Sequence, residues 1–281
     1  MLLLVITAAL WSTSGFLVKL IHWSPINIAA ARSLIALPVV WLAVRTVRFR
    51  WSFFQLAAAG AYAGTVVFFV LATKMTTAAN AIVLQYSAPL YVAILSAWIV
   101  GEKPTVFDWV SVLIVCAGMV LFFFDRLESG QLLGNVLGIV SGICFGLTAL
   151  LLRKQKDAAP MESILIGNGI AVLLCLPFVQ WTLPPSDAWL PLVLLGVFQL
   201  GLPYVLYSIA IRSVSALEAV LIPMLEPLMN PIWTYLAVGE VPGPYAVAGG
   251  SMILVTLAIR AWWSVRRTAV RLEQSVRGKA V

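Results

Sequence analysis

The stretch VGEKPT, Val100 to Thr105, returns as VGEVPG at 238–243, 138 residues later in a chain of 281. A separation of almost half the chain points to an internal duplication rather than a short local motif. Laying 72–104 over 210–242 pairs Ala78 with Ala216, Lys74 with Arg212, Pro89 with Pro227 and Leu90 with Leu228, and about ten of the thirty-three positions are identical. The repeated unit is therefore a pair of elements with their connecting turn. In that turn Gly101 and Gly239 can end one helix, Pro104 and Pro242 suit the start of the next, and Glu102 and Glu240 lie near that helix's positive end.

Composition says where those elements live. Hydrophobic residues make up 62% of the chain and charged residues 10%, against roughly a quarter charged in soluble domains. The apolar residues fall into blocks of the length a helix needs to cross about 30 Å of hydrocarbon. Ten such helices are expected, near 2–21, 27–44, 53–73, 77–100, 105–124, 134–152, 161–180, 189–209, 215–238 and 243–262. The fold class is an all-α polytopic membrane protein. With the N-terminus cytoplasmic, the inner connectors and the tail hold thirteen Lys and Arg residues, and the outer connectors hold only Lys74 and Arg126. The excess of basic residues places both termini in the cytoplasm. Five helices per copy is an odd number, so the second copy enters the membrane from the opposite side. Residues 1–124 and 134–262 form two inverted five-helix repeats, followed by a basic cytoplasmic tail at 263–281. Inverted repeats are a transporter architecture with the site near the midplane.

The same residues argue against other classes. The formal net charge of +7 is spread over connectors without a basic stripe, so no nucleic acid partner is expected. Cys116, Cys144 and Cys175 each lie inside an apolar block, and His22 is the single histidine, so neither a metal site nor a disulfide framework is expected. No cofactor is implied, and without GxSxG, HExxH or a P-loop an intramembrane enzyme lacks its usual groups. The partners expected are a small-molecule substrate and the lipid bilayer, with the chain read as a monomer.

The opening ALWSTSGFLVK together with the twice-used APL…GEKP and EPL…GEVP resembles the drug/metabolite transporter superfamily, and within it the EamA-type carriers, over nearly the whole chain. The LWST opening is most similar to bacterial exporters of aromatic amino acids. The resemblance implies a carrier of the bacterial inner membrane that moves small metabolites outward through a central cavity lined by both halves.

Candidate cavity residues follow from polar groups inside apolar blocks, where facing lipid is unfavourable. Asn80, Ser87, Tyr91 and Trp98 recur at spacings of seven, four and seven on the fourth helix, with Tyr86 on the neighbouring face. That stripe is either a cavity wall or a packed seam. On the ninth helix Glu218, Glu226, Asn230 and Thr234 form a slowly turning polar band, and Glu226 faces Ala88 in the repeat alignment. Trp11 and Ser12 come from the first helix, Gln199 and Tyr204 from the eighth. Pro89 and Pro227 are the candidate hinges. Gly134, Gly138, Gly142 and Gly146 form a small-xxx-small ribbon for close helix packing. Zwitterions can be held by hydroxyls, amides and helix ends against aromatic walls, so small neutral metabolites, amino acids foremost and aromatic ones included, are the expected cargo. Cationic drugs are the alternative, weakened because residues 1–21 contain no acid.

Overall fold

The computed structural model describes residues 1–44, 49–124, 132–158, 160–229 and 243–277. Among the described residues the secondary structure is helical, without strands. The helices are α1 (Leu2–Trp11), α2 (Ser14–Leu20), α3 (Pro25–Ala43), α4 (Phe53–Met75), α5 (Ala78–Gln85), α6 (Ala88–Ile99), α7 (Val106–Phe122), α8 (Leu132–Lys154), α9 (Pro160–Cys175), α10 (Trp189–Leu194), α11 (Leu202–Ala210), α12 (Ala216–Leu221), α13 (described at 225–229) and α14 (Pro244–Arg277). Among the described residues seven helical stretches are long and apolar enough to cross a membrane, and Leu2–Trp11 and Val106–Phe122 are shorter apolar helices. α14 runs on as helix to Arg277, through the first part of the segment expected as the basic tail at 263–281. Asn230, Thr234 and the second Gly-Glu turn lie outside the described residues.

Several expected helices are interrupted where polar groups or prolines fall. The block at 2–21 breaks at Ser12–Thr13, whose hydroxyls bond back to Ala9 O and Leu10 O. The block at 77–100 breaks at Tyr86–Ser87, just before Pro89, whose ring cannot accept a helical neighbour at Gln85 O. The ninth helix tightens into a 3₁₀ turn at Ile222–Met224. Leu195–Gly201 between α10 and α11 is a π-helical turn, a feature that recurs at functional sites.

Helix α8 packs along α4 and against α5 and α6, while α7 pairs with α14 and α3 lies on α9 and the π turn. The glycine ribbon makes the contacts with α5, α6 and the end of α4 possible. A Cβ on Gly142 would stand 2.8 Å from Leu84 O and 2.9 Å from Gln85 O, and one on Gly134 2.7 Å from the Met75 carbonyl carbon. The small side of α8 thus receives backbone that the break at Tyr86 leaves exposed.

Connectors gather at two ends of the bundle. At one end Lys74 Nζ donates to Ile21 O at 2.7 Å, Thr76 Oγ1 to Asn135 Oδ1 at 3.0 Å, and Asn27 Nδ2 to Gln180 O at 2.8 Å. At the other, Gln155 Nε2 donates to Phe54 O at 2.8 Å, and Glu102 joins Arg153 and the start of α12. Gly101 has φ +77°, a left-handed conformation that suits glycine and turns the chain out of α6. The helix after this turn is capped by its own Thr105–Asp108 capping box. Glu102 therefore serves a different helix from the one the turn leads into: its Oε2 accepts from Ala216 N at 2.8 Å, 114 residues away, and its Oε1 pairs with Arg153 Nε at 2.7 Å. Arg153 Nη1 in turn donates to Ile211 O and Arg212 O, both at 3.0 Å. At the same end Arg260 Nη2 pairs with Asp108 Oδ1 at 2.9 Å.

Candidate functional site

A tight crevice with a cavity volume of about 30 Å³ lies among these helices. One wall is acidic. Glu226, 5% exposed, receives Ser14 Oγ at 3.3 Å on Oε1 and Tyr86 OH at 2.5 Å on Oε2. The same Tyr86 hydroxyl lies 3.1 Å from Pro223 O. Pro227, four residues on, has no N–H to offer that carbonyl, so Tyr86 stands where the helix lacks its own donor.

The other wall is basic. Arg32, 2% exposed, projects from α3 about 10 Å along the axis from Pro25. Its Nη2 donates to Val66 O at 2.7 Å and its Nη1 to Gln199 Oε1 at 3.3 Å. Gln199 is carried on the π turn, which lies tight against α3: a Cβ on Gly196 would stand 2.5 Å from Ile35 Cβ and 3.1 Å from Arg32 O. The absent side chain at Gly196 sets the approach that lets Gln199 reach Arg32.

Aromatic rings complete the enclosure. Trp11 meets Phe145 edge-on at 5.7 Å and Tyr204 at 5.0 Å, and Tyr204 stands edge-on to Tyr62 at 4.6 Å. Centroids in this range are favourable packing for aromatic pairs. Tyr62 is held by Asn168 Oδ1, 3.1 Å from its hydroxyl. Trp11 Nε1 and Arg32 Nε, two buried donors on this crevice, have no hydrogen-bond partner among the described residues.

Of the candidates named from the sequence, Trp11, Tyr86, Gln199, Tyr204 and Glu226 line this space together. Five others lie elsewhere. Ser12 bonds Ala9 O within its own turn. Asn80 joins Thr76 and Asn135 in a polar cluster at one end of the bundle. Ser87 Oγ donates to Leu84 O at 2.6 Å, and Ser87 and Tyr91 lie against the glycines of α8, so theirs is a packed seam. Trp98 is 77% exposed on the outside of the bundle. The break at Tyr86–Ser87 separates Asn80, on α5, from the rest of the stripe, whereas Ser87, at the N-cap of α6, shares that helix with Tyr91 and Trp98, and its far end carries Trp98 to the outside. Glu218, from the polar band, closes a capping box with Ser215 at the start of α12. Asn230 lies outside the described residues. Of the hinges, Pro89 follows a real break, whereas around Pro227 the irregular turn lies upstream at 222–224.

Ser14, Thr65, Gln85 and Phe145 also line the crevice without being in the sequence-derived set, and Arg32 is the charged residue missing from it. Its signal is visible, because a lone cation inside the apolar block 27–44 meets the same criterion as Glu226.

Residues 1–124 and 132–261 match the EamA-like transporter family. An uncharacterized transporter of Archaeoglobus fulgidus is 29% identical over 199 residues, covering 70% of this chain and 72% of that one. A second from the same organism is 26% identical over 281 residues, covering 92% and 94%. The uncharacterized transporter YxxF of Bacillus subtilis is 24% identical over 206 residues, covering 69% and 64%. One solved crystal structure superposes with a TM-score of 0.77 at 20% identity, covering 94% of this chain and 97% of its own, a likeness of fold.

Proposed function

Because the chain belongs to the EamA-like transporter family, we propose that it is an alternating-access carrier exporting small neutral metabolites, amino acids foremost and aromatic ones among them, across the bacterial inner membrane. The observation that carries this reading is the make-up of the crevice. Trp11, Ser14, Arg32, Thr65 and Tyr86 come from the first family-matched segment, and Phe145, Gln199, Tyr204 and Glu226 from the second. Rings, amides, hydroxyls and one charge of each sign suit a small amphoteric solute with an apolar side chain.

In this reading the chain crosses the membrane ten times as two inverted repeats, with both termini in the cytoplasm. The end bearing Glu102, Arg153 and Arg212 is then the cytoplasmic end. Its two ion pairs, Arg153–Glu102 and Arg260–Asp108, each join one family-matched segment to the other. Such cross-links favour a state closed to the cytoplasm, and inward opening requires Glu102 to release both Arg153 and Ala216 N. The narrow crevice fits an occluded stage, since an aromatic amino acid needs the two halves to part.

Counterflow in liposomes containing the purified chain tests the cargo. Exchange of neutral amino acids without ATP is expected, and flux confined to organic cations would sink the reading. Single cysteines at Asp157 and Ser186, both exposed, test the topology in a background with the three native cysteines replaced. An impermeant reagent should reach them from opposite sides of the membrane; labelling of both from one side contradicts the inverted arrangement.

A further inference from the structure

We propose that Arg32 anchors a substrate carboxylate, so that the crevice selects organic acids, amphoteric ones included, over their amides and over amines. The inference rests on the carrier reading above and names the chemical group by which the cargo is held.

Arg32 has five N–H donors. Two of its nitrogens meet neutral acceptors, Val66 O and Gln199 Oε1, and Nε meets none. Neither ion pair among the described residues involves it. A buried guanidinium with only amide oxygens as partners is poorly compensated, because buried charges ordinarily require a counter-ion. The missing partner must reach it from the crevice that Arg32 lines. The open position is also the right one: Nε and an adjacent Nη form the side-on fork that a carboxylate takes bidentately.

The surroundings look built for that purpose. Gln199, delivered by a π turn whose glycine lets it approach α3, holds Nη1, and Val66 O takes one hydrogen of Nη2 and leaves its other beside Nε–H, so the guanidinium is held before any ligand arrives. Trp11 Nε1, a second unpartnered buried donor, lines the same space. Across it stands Glu226 with its two hydroxyl donors, and Tyr204 is within electrostatic reach of both Arg32 and Glu226. A carboxylate on Arg32 therefore leaves the far end of a short solute near the acid.

A purely structural Arg32 would tie α3 to Val66 and the π turn without regard to the ligand's charge. The two roles separate in a comparison of matched ligands: phenylalanine, its amide, 3-phenylpropionate and phenethylamine, each titrated at up to millimolar concentration as a thermal stabiliser of the full chain in detergent and as a counterflow competitor in liposomes. The wild-type protein should prefer phenylalanine over its amide by about 10- to 100-fold, the range of a charge-assisted pair. Arg32→Gln should bring that ratio below about threefold, while Arg32→Lys, which keeps the charge and loses the fork, should fall between. If Arg32→Gln fails to fold, the wild-type ratio and its reduction in Arg32→Lys decide. A wild-type protein that treats acid and amide alike, an unchanged ratio in the variants, or no stabilisation by any acid overturns the proposal. Preference for 3-phenylpropionate equal to that for phenylalanine keeps the Arg32 anchor and removes the amino-acid reading. Preference for phenethylamine removes both.

Discussion

The two repeat-related helix breaks, one at Tyr86–Ser87 and the other at Ile222–Met224, start from the same problem and settle it differently. Each is followed by a proline of the aligned pair Pro89 and Pro227, and each leaves a carbonyl without its helical donor, Gln85 O in the first and Pro223 O in the second. At the first break the neighbouring helix comes close, with Gly142 lying against Leu84 O and Gln85 O. At the second, a side chain crosses the crevice, and Tyr86 OH stands between Pro223 O and Glu226. The residue aligned with Glu226 is Ala88, fully buried with its carbonyl against Gly146. One break is thus closed by packing and the other is left open to polar chemistry, so the pseudo-symmetric pair acquires a single polar face.

Exchanging the two solutions should produce the largest effect. In Ala88→Glu a carboxylate is forced into a seam that offers a carbonyl and a glycine face rather than hydroxyl donors. An uncompensated buried charge of this kind costs about 3–5 kcal/mol. The expected outcome is loss of most folded protein, read as the monodisperse fraction surviving a thermal ramp in detergent. Wild-type survival would mean that the seam can open and that the contrast between the breaks is shallow.

A smaller effect should follow from Gly142→Ala. The new methyl would sit 2.8 Å from Leu84 O and Ser87 Oγ, and overpacking of that order costs about 1–3 kcal/mol. Gly60→Ala in α4 is the control, since nothing lies within 4 Å of its Cβ position, and it should leave thermal stability unchanged or slightly raised. Equal melting temperatures for the two variants would show that α8 does not depend on the bare glycine at the break.

Much of this architecture is legible in the sequence because it rests on local signals. Block length and the spacing of VGEKPT and VGEVPG mark the helices and their repeat, and the glycine ribbon of α8 marks a close-packed face. The side chains that land away from their expected neighbours do so through tertiary contacts, which a local period does not encode. Ser87 and Trp98 share the one helix α6, yet its neighbours leave Ser87 against Gly142 and Trp98 on the outside, a difference the 3.6-residue period does not carry. Proximity in sequence assigns Glu102 to α7, yet that helix supplies its own cap and the glutamate binds the start of α12, a contact no local pattern encodes. Arg32 is different in kind. Its position inside an apolar block is plain, but only the folded chain shows that it shares a crevice with Glu226.

The smallest effect, and the one that says what the polar break is for, is expected from Glu226→Gln. The amide can still accept from Tyr86 on its oxygen and can donate to Ser14 Oγ, so the variant should fold with wild-type stability. What it loses is the negative charge and the ability to take up a proton. If Glu226 is a fixed group that holds the crevice together and faces the substrate ammonium, exchange of amino acids should weaken by about 5- to 30-fold, the worth of one or two kcal/mol. The ratio of accumulation with a pH gradient to accumulation without one should then stay as in the wild type. Proton coupling predicts another pattern, and the site contains the parts for it: a protonated Glu226 could donate to Tyr86 while Tyr86 turns its own hydrogen to Pro223 O at 3.1 Å. In that case Glu226→Gln would retain downhill exchange and lose the response to the gradient. We favour the fixed role, because no second titratable group among the described residues touches Glu226 except Tyr86, and a proton accepted at the acid needs a way onward. A wild-type ratio above one that falls to one in the variant would overturn this and make the broken helix a proton-coupled element.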